Sequence, residues 1–163
     1  MNRRILALAV SGLLVAGLGT ATAQAATGPW YPLFQAINRV RRAHGLRPVV
    51  PSPRLHRAAR GHSADMLARD YFAHTSPTGL TLFDRIMRSG FVTYGPWTAG
   101  ETLAWGTGSY GSPAGVVNMW MHSPDHRAIL LSPSYRFVGI GRAHGTFLGY
   151  HGADVWTADW GHR

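Results

Sequence analysis

The chain has 163 residues, enough for one ordinary domain with a single hydrophobic core. It contains no cysteine, which excludes both a disulfide-stapled fold and a cysteine nucleophile. All 16 basic residues are arginines, and the formal net charge is +9, which suits anionic partners such as envelope polymers or lipid headgroups. The arginines cluster densely only at residues 39–42 and no nucleic-acid-binding motif is present, so nucleic acid is excluded as a partner and most arginines are interpreted as solvating helix faces.

The N-terminus has the pattern of a secretory signal peptide. Two arginines precede an apolar run from Ile5 to Leu18, and Ala23-Gln24-Ala25 matches the A-x-A cleavage pattern. The run is shorter than the roughly 20 residues that span a bilayer. The sequence therefore predicts a cleavable signal at 1–25 and one domain at 26–163, with no transmembrane anchor after cleavage. We expect a secreted monomer, either released or associated with the cell envelope.

The first half of the domain is predicted to be mainly helical. Apolar residues at helical spacing follow Trp30, and Gly45 is a typical stop for that helix. The proline-rich segment 47–53 is predicted to be extended. Ser52 and Pro53 then begin a second helix that ends near Asp70. One face of that helix carries Leu55, Ala59, His62 and Met66.

The second half contains the better strands. The predicted elements, in chain order, are a helix at 82–89, a strand at 98–105, a glycine-rich loop at 106–111, a helix at 113–122 interrupted by Pro124, and strands at 137–141, 146–150 and 155–160. Helices first and strands last indicate an α+β fold, with helices packed on a small antiparallel sheet.

Several familiar motifs match the sequence letter by letter but lack the structural context that they require. Gly106-x-Gly108-x-x-Gly111 matches a dinucleotide-binding fingerprint, but no parallel βαβ unit surrounds it. His122 and His126 stand four residues apart, but the intervening Pro124 breaks the helix that would align them as metal ligands. A G-x-S-x-G nucleophile elbow and a His-Glu-x-x-His zinc motif are both absent from the sequence.

More specific information comes from eight short strings that follow one another in a fixed order. They are Asn38-x-x-Arg41 with Gly45-Leu46-x-Pro48; Ala59-x-x-His62-Ser63-x-Asp65-Met66; Tyr71-Phe72-x-His74-x-Ser76-Pro77-x-Gly79; Asp84-Arg85-Ile86 with Gly90-Phe91; Gly100-Glu101-Thr102; Trp120-x-x-Ser123-Pro124-Asp125-His126-Arg127; Pro133-x-Tyr135-Arg136-x-Val138-Gly139-Ile140-Gly141; and Trp156-Thr157. In this order they resemble the bacterial form of the CAP superfamily, also called SCP-like extracellular proteins. The resemblance covers residues 33–161.

The resemblance implies a three-layer α-β-α sandwich with a cleft that holds two histidines and acidic residues. His74 and His126 match the family's cleft histidines, and Glu101, the only glutamate in the chain, matches the glutamate of its Gly-Glu-Asn motif. This chain departs from the pattern at three positions: Thr102 replaces the usual asparagine, Ser123 replaces a second glutamate, and Val155 replaces a further histidine. Asp125 is then the remaining candidate for a second acid.

Two histidines and a carboxylate suit zinc or another divalent cation, bound weakly and not obligatory for the fold. Glu101 could instead orient His74 and His126, and reach a metal only through water. Three functions stay open: a non-catalytic binding module for metal, lipid, envelope polymer or protein; a metal-assisted hydrolase that uses Glu101, His74 and His126; and a structural domain in which the trio ties layers together. The missing second acid and nucleophile favour the non-catalytic module.

Overall fold

The computed structural model describes residues 28–92 and 95–163, and these residues form helices packed around one sheet. The predicted signal peptide and its cleavage site lie outside the described residues. Within the described part of the chain, no helix combines the length and the apolar character needed to cross a membrane.

Three helices and one short strand form the first half. Helix α1 spans Tyr31–Ala43, strand β1 Val50–Pro51, helix α2 Pro53–Arg69 and helix α3 Leu82–Arg88. Helix α2 begins as predicted, because the Ser52 hydroxyl accepts the backbone N–H of Leu55, and it ends at Asp70 with a left-handed φ of 53°. Helix α3 begins with a capping box between Thr81 and Asp84.

The second half contains three long strands and three short helices. They are β2 (Thr98–Thr107), α4 (Gly108–Gly111), α5 (Pro113–His122), α6 (Pro124–Leu130), β3 (Phe137–Phe147) and β4 (Tyr150–His162).

The structure corrects the sequence-based element boundaries in three places. The predicted glycine-rich loop is the end of β2 followed by the single helical turn α4. The predicted strand at 137–141 extends to Phe147 in β3, because pairing with β4 continues through the polar residues that follow, whereas the predicted strand at 146–150 contains the turn that joins β3 to β4. Pro124 not only ends the preceding helix but occupies the first turn of α6, where its missing N–H costs nothing.

The four strands form one mixed sheet in the order β1-β3-β4-β2. The long strands are antiparallel as predicted, whereas β1 pairs with β3 in parallel over two residues. In the β2–β4 ladder, Glu101 lies directly opposite Asp159. Residues that face each other in this way place their side chains on the same face of the sheet.

Both faces of the sheet are covered by helices, which gives the three-layer α-β-α sandwich implied by the resemblance. On one face, α1, α5 and α6 pack over Trp156 and Trp160 of β4, with Trp120 of α5 in the same cluster. On the other face, α2 and α3 contribute Leu55, Met66 and Ile86 to two smaller clusters. Burial of these large side chains from both sides is the main stabilising contribution to the fold.

Two glycines let α2 approach the sheet closely. A Cβ on Gly139 would overlap the backbone of Leu55 and His56, and one on Gly141 would overlap the backbone of Ala59. The close contact holds α2 directly over β3 and β4. The buried face of α2 is thereby pressed against the part of the sheet that carries Glu101 and Asp159.

Candidate functional site

The site is built around Glu101, which projects from β2 into the layer between the sheet and α2. Strand alternation puts Leu103 and Glu101 on this face and Thr102 on the other, where its hydroxyl accepts the indole N–H of Trp160 at 3.2 Å. Only 1% of the Glu101 side chain is exposed. A buried carboxylate requires partners, and the surrounding elements supply them.

Both oxygens of Glu101 are occupied. Oε1 accepts a hydrogen bond from Nδ1 of His74 at 2.7 Å, and Oε2 accepts one from Nη2 of Arg85 at 2.7 Å. His62 of α2 lies on the same side, with its Nε2 3.9 Å from Oε2. Burial alone would raise the pKa of Glu101, but the His74 hydrogen bond and the charge and hydrogen bond of Arg85 outweigh it, so the pKa of Glu101 is lowered. Glu101 is therefore an ionised anchor for the groups around it.

His74 lies in the loop after α2, and its side chain is 58% exposed although its ring is fixed. Because Nδ1 donates to Glu101, Nε2 carries the lone pair and is available to a ligand. Arg85 holds the same loop: Nη2 donates to the carbonyl of His74 at 2.9 Å and Nη1 to that of Leu80 at 3.0 Å. A single buried guanidinium thus fixes the carboxylate and the backbone of the histidine that it orients.

His126 lies in the first turn of α6 and is half-buried. Burial lowers its pKa, and protonation of His74 would lower it further, although Asp125 acts in the opposite direction. The two histidines therefore lie within electrostatic reach of each other. Glu101 makes no hydrogen bond with His126 in the described structure, and Asp125, next to it on α6, is exposed and does not join the Glu101 cluster.

Sequence reasoning missed Asp159, which is the second carboxyl group of this region. Asp159 is fully buried, and within the described residues neither of its oxygens has a hydrogen-bond donor. Burial first, and then the negative charge of Glu101 across the ladder, raise the pKa of Asp159 well above its ordinary value, which favours the neutral form of its carboxyl group. The available signal was an acidic residue in phase with Val155 and Thr157, within an otherwise apolar strand.

His62 and Arg85 were also missed as parts of the site. The pattern correctly placed His62 on the buried face of α2, where it is 1% exposed, and its Nε2 lies 3.0 Å from the carbonyl of Ala73. Burial is the largest cause that lowers the pKa of His62, so the ring is neutral and buttresses the loop that carries His74. Nothing in the local sequence indicates that Arg85, 16 residues before Glu101, is its partner.

The described residues contain no group of three or more His, Cys, Asp or Glu side chains arranged to hold a metal ion. Both oxygens of Glu101 accept hydrogen bonds from protein donors, His74 and Arg85. A cation at this position would have the Nε2 of His74 and the ring of His126 as its protein ligands, with water completing the coordination.

Comparisons with known proteins agree with this architecture. Residues 34–160 match the model of the cysteine-rich secretory protein family, CAP. Among curated proteins, the uncharacterized protein YkwD of Bacillus subtilis is 38% identical over 109 residues, which cover 67% of this chain and 40% of that protein. The uncharacterized membrane protein YlbC of the same organism is 34% identical over 109 residues, covering 67% of this chain and 30% of its own length. The chain thus spans less than half the length of these relatives.

Solved structures share the fold. An extracellular protein containing an SCP domain from Bacillus anthracis superposes with a TM-score of 0.64 at 29% identity, over 78% of this chain and 38% of that one. An outer surface protein from Borrelia burgdorferi gives a TM-score of 0.66 at 22% identity, over 80% and 90% of the two chains. Because the identity to the Borrelia burgdorferi protein is only 22%, this similarity shows the fold alone.

Proposed function

Since the chain belongs to the cysteine-rich secretory protein (CAP) family, we propose that it is an extracellular, non-catalytic binding module whose site captures a divalent cation such as zinc through His74 and His126. The extracellular location is supported by the predicted signal peptide and by similarity to an extracellular protein of Bacillus anthracis. The chain matches only part of its curated relatives, so the proposal concerns this domain.

The observation that carries the proposal is the bond between Glu101 and Nδ1 of His74, at 2.7 Å. A carboxylate that accepts one ring N–H of a histidine fixes the tautomer, and it makes the opposite nitrogen a better metal ligand. Here the carboxylate is buried, and the histidine is 58% exposed. The free nitrogen of His74 is therefore preorganised for a ligand.

His126 supplies the second ligand. Its ring nitrogens make no hydrogen bond with any described residue, and its lowered pKa keeps the ring neutral, which is the state that binds metal. With two protein ligands and water in the other positions, binding should be weaker than in a closed four-ligand site. Asp125 adds a negative charge next to His126 in sequence.

Neither buried carboxyl group of the described site is suited to act as the general base of a hydrolase. Both oxygens of Glu101 accept protein donors, and its pKa is lowered, so it has little capacity to take a proton from water. Asp159 is fully buried, its pKa is raised, and it cannot reach a substrate at the surface. A bound cation would supply Lewis-acid polarisation, but the chain positions no described carboxylate to use it.

Apolar surface next to the loop that carries His74 supports a second and larger ligand besides the cation, namely a lipid or another component of the envelope. Phe72, two residues before His74, is 41% exposed and lies edge-on to Phe147, with 6.4 Å between ring centroids. At the same end of the sheet, Tyr150 is 57% exposed and lies beside Trp105. Exposed aromatic surface of this kind is typical of binding sites for partly apolar ligands.

Isothermal titration calorimetry with zinc tests the proposal. The wild type should bind, and the double variant His74→Ala with His126→Ala should lose the heat signal. A matched control, His44→Ala with His151→Ala, removes two exposed histidines elsewhere and should bind like the wild type. Equal zinc affinity in all three proteins would refute the site.

A second assay separates binding from hydrolysis. The zinc-loaded wild type is incubated with peptide and peptidoglycan substrates alongside Glu101→Gln. We expect no turnover by either protein. If the wild type turns over a substrate and Glu101→Gln does not, the protein is a hydrolase and the non-catalytic proposal is wrong.

A further inference from the structure

A cavity of about 370 Å³ lies between α2, α3 and the turn at residues 76–80. It shares Arg85 and His62 with the surroundings of Glu101, but neither His74 nor His126, the proposed cation ligands, lines it. Its volume falls within the range of pockets that take small organic ligands. Ala58, Gly61 and Leu80 give it an apolar wall.

The cavity is lined by four arginines, and two of them have carboxylate partners. Arg85 pairs with Glu101 at 2.7 Å, and Arg69 pairs with Asp65 at 2.8 Å. Arg57 of α2 and Arg88 of α3 have no carboxylate within salt-bridge distance among the described residues.

Asp84 lies one turn before Arg88, but its carboxylate accepts hydrogen bonds at the start of α3. Its Oδ2 accepts the backbone N–H of Thr81 at 2.9 Å and the hydroxyl of Thr81 at 2.7 Å. Positive charge on Arg88 helps to lower the pKa of Asp84, after the larger effect of these hydrogen bonds, but the two side chains form no ion pair. The cavity therefore carries two positive charges that the described protein does not neutralise.

The cavity also presents unused hydrogen-bond donors. Ser76 and Thr78 share a single hydrogen bond between their hydroxyls at 2.9 Å, so one of their two O–H groups lacks an acceptor in the described structure. Arg85 is 9% exposed, and its buried Nε has no hydrogen-bond partner. Unpaired donors on buried or half-buried groups are uncommon in folded proteins, and they are frequently explained by a ligand or an ion.

We infer that this cavity binds a phosphate monoester, with Arg57 of α2 and Arg88 of α3 holding the phosphate. A monoester carries a charge of about −1.5 to −2 near neutral pH, which matches the two unpaired guanidinium groups. Guanidinium groups bind phosphate oxygens through paired hydrogen bonds, and the free hydroxyl of the Ser76–Thr78 pair adds a donor. The apolar wall accommodates the carbon skeleton of the ester.

The phosphate could be borne by a soluble molecule or by a lipid headgroup. The outer face of α3 bears on this choice, because Phe83 and Met87 are 55% and 54% exposed. Apolar side chains next to a basic pocket suit the surface of a bilayer that contains an anionic lipid. The binding chemistry is the same for both sources, and the experiment has an arm for each.

The test uses protein stripped of metal on a chelating resin, so that zinc cannot bridge to the phosphate. Glycerol 3-phosphate is titrated at constant ionic strength while the arginine side-chain N–H resonances are followed by NMR, with acetate as a carboxylate probe. Vesicles of phosphatidylcholine, with and without phosphatidic acid, form the lipid arm. The variants are Arg57→Gln with Arg88→Gln and, as a charge-matched control on α1, Arg39→Gln with Arg42→Gln.

We expect saturable binding of glycerol 3-phosphate or of phosphatidic acid vesicles, at least about tenfold weaker in the cavity variant and unchanged in the α1 control. Binding of the soluble ester alone identifies a soluble ligand, and binding of vesicles alone identifies a lipid. The inference is overturned if the wild type binds neither, if both double variants lose affinity equally, or if acetate binds as tightly as the phosphate. A His74→Ala, His126→Ala protein should retain phosphate binding, which separates this site from the cation site.

Discussion

Replacing Asp159 with asparagine should stabilise the protein, and the gain should increase with pH. Asp159 is fully buried opposite Glu101, and no described donor reaches its oxygens. In the folded protein its pKa is raised well above the ordinary 3.8, whereas the unfolded chain ionises near that value. The wild type therefore has its full stability below pH 3.8 and loses stability as the pH rises towards the folded pKa.

The magnitude follows from proton linkage. Between the two pKa values, each pH unit lowers the free energy of unfolding of the wild type by about 1.4 kcal/mol, so two units amount to about 3 kcal/mol. Asparagine does not titrate, and its amide N–H₂ can donate to Glu101 as a protonated Asp159 would. The free energy of unfolding of Asp159→Asn should therefore not show this decrease with pH.

Urea unfolding of metal-free protein at pH 4, 5 and 6 measures the difference. The gap between Asp159→Asn and the wild type should widen at each step, while Asp125→Asn, which removes the same charge from an exposed position, should follow the wild type. Parallel pH profiles for Asp159→Asn and the wild type would show that Asp159 is ionised and paired in the folded state, and the reasoning would be refuted.

Three further predictions concern the ion pair between Glu101 and Arg85, the packing of α2 on the sheet, and the pH dependence of zinc binding. Glu101→Gln leaves the buried guanidinium of Arg85 without its counter-charge and should lower the free energy of unfolding by about 3–5 kcal/mol in urea titration; a loss below about 1 kcal/mol would contradict the buried pair. Gly139→Ala forces a methyl group into the α2 backbone and should cost at least about 1–3 kcal/mol, seen as a lower melting temperature, whereas Gly61→Ala has open space and should not. Zinc affinity in calorimetry should fall as the pH is lowered through the pKa of His126, which burial lowers, because protons then compete with the metal for the ring; a flat profile would argue against histidine ligands.

The helices were predictable from sequence because their signals are local. Ser52 before Pro53 and Ser112 before Pro113 cap α2 and α5, and both caps are observed. The full length of β3 was not predictable, because its polar middle residues give no alternating pattern and only the pairing with β4 maintains the strand. Strand pairing depends on contacts between distant residues, which a local pattern does not record.

The site was predictable only in part for the same reason. His74, Glu101 and His126 occur in recognisable motifs, and the structure places Glu101 against His74 but not in hydrogen-bond contact with His126. Arg85 and Asp159 reach Glu101 across 16 and 58 residues of chain, through helix packing and strand register. Asp125, the second acid expected from the sequence, is exposed on α6, whereas the buried carboxyl group opposite Glu101 is Asp159 of β4.

The central claim is that Glu101 fixes His74 with its Nε2 free, and that this nitrogen binds a divalent cation together with His126. Long-range ¹H–¹⁵N NMR of the histidine rings, recorded on metal-free protein and during addition of zinc, tests it most directly. We predict that Nδ1 of His74 carries the proton before zinc is added, and that zinc shifts Nε2 of His74 and a ring nitrogen of His126 while the Nδ1 proton stays. A proton on Nε2 of His74 in the metal-free protein, or no change at either histidine with zinc, would contradict the account.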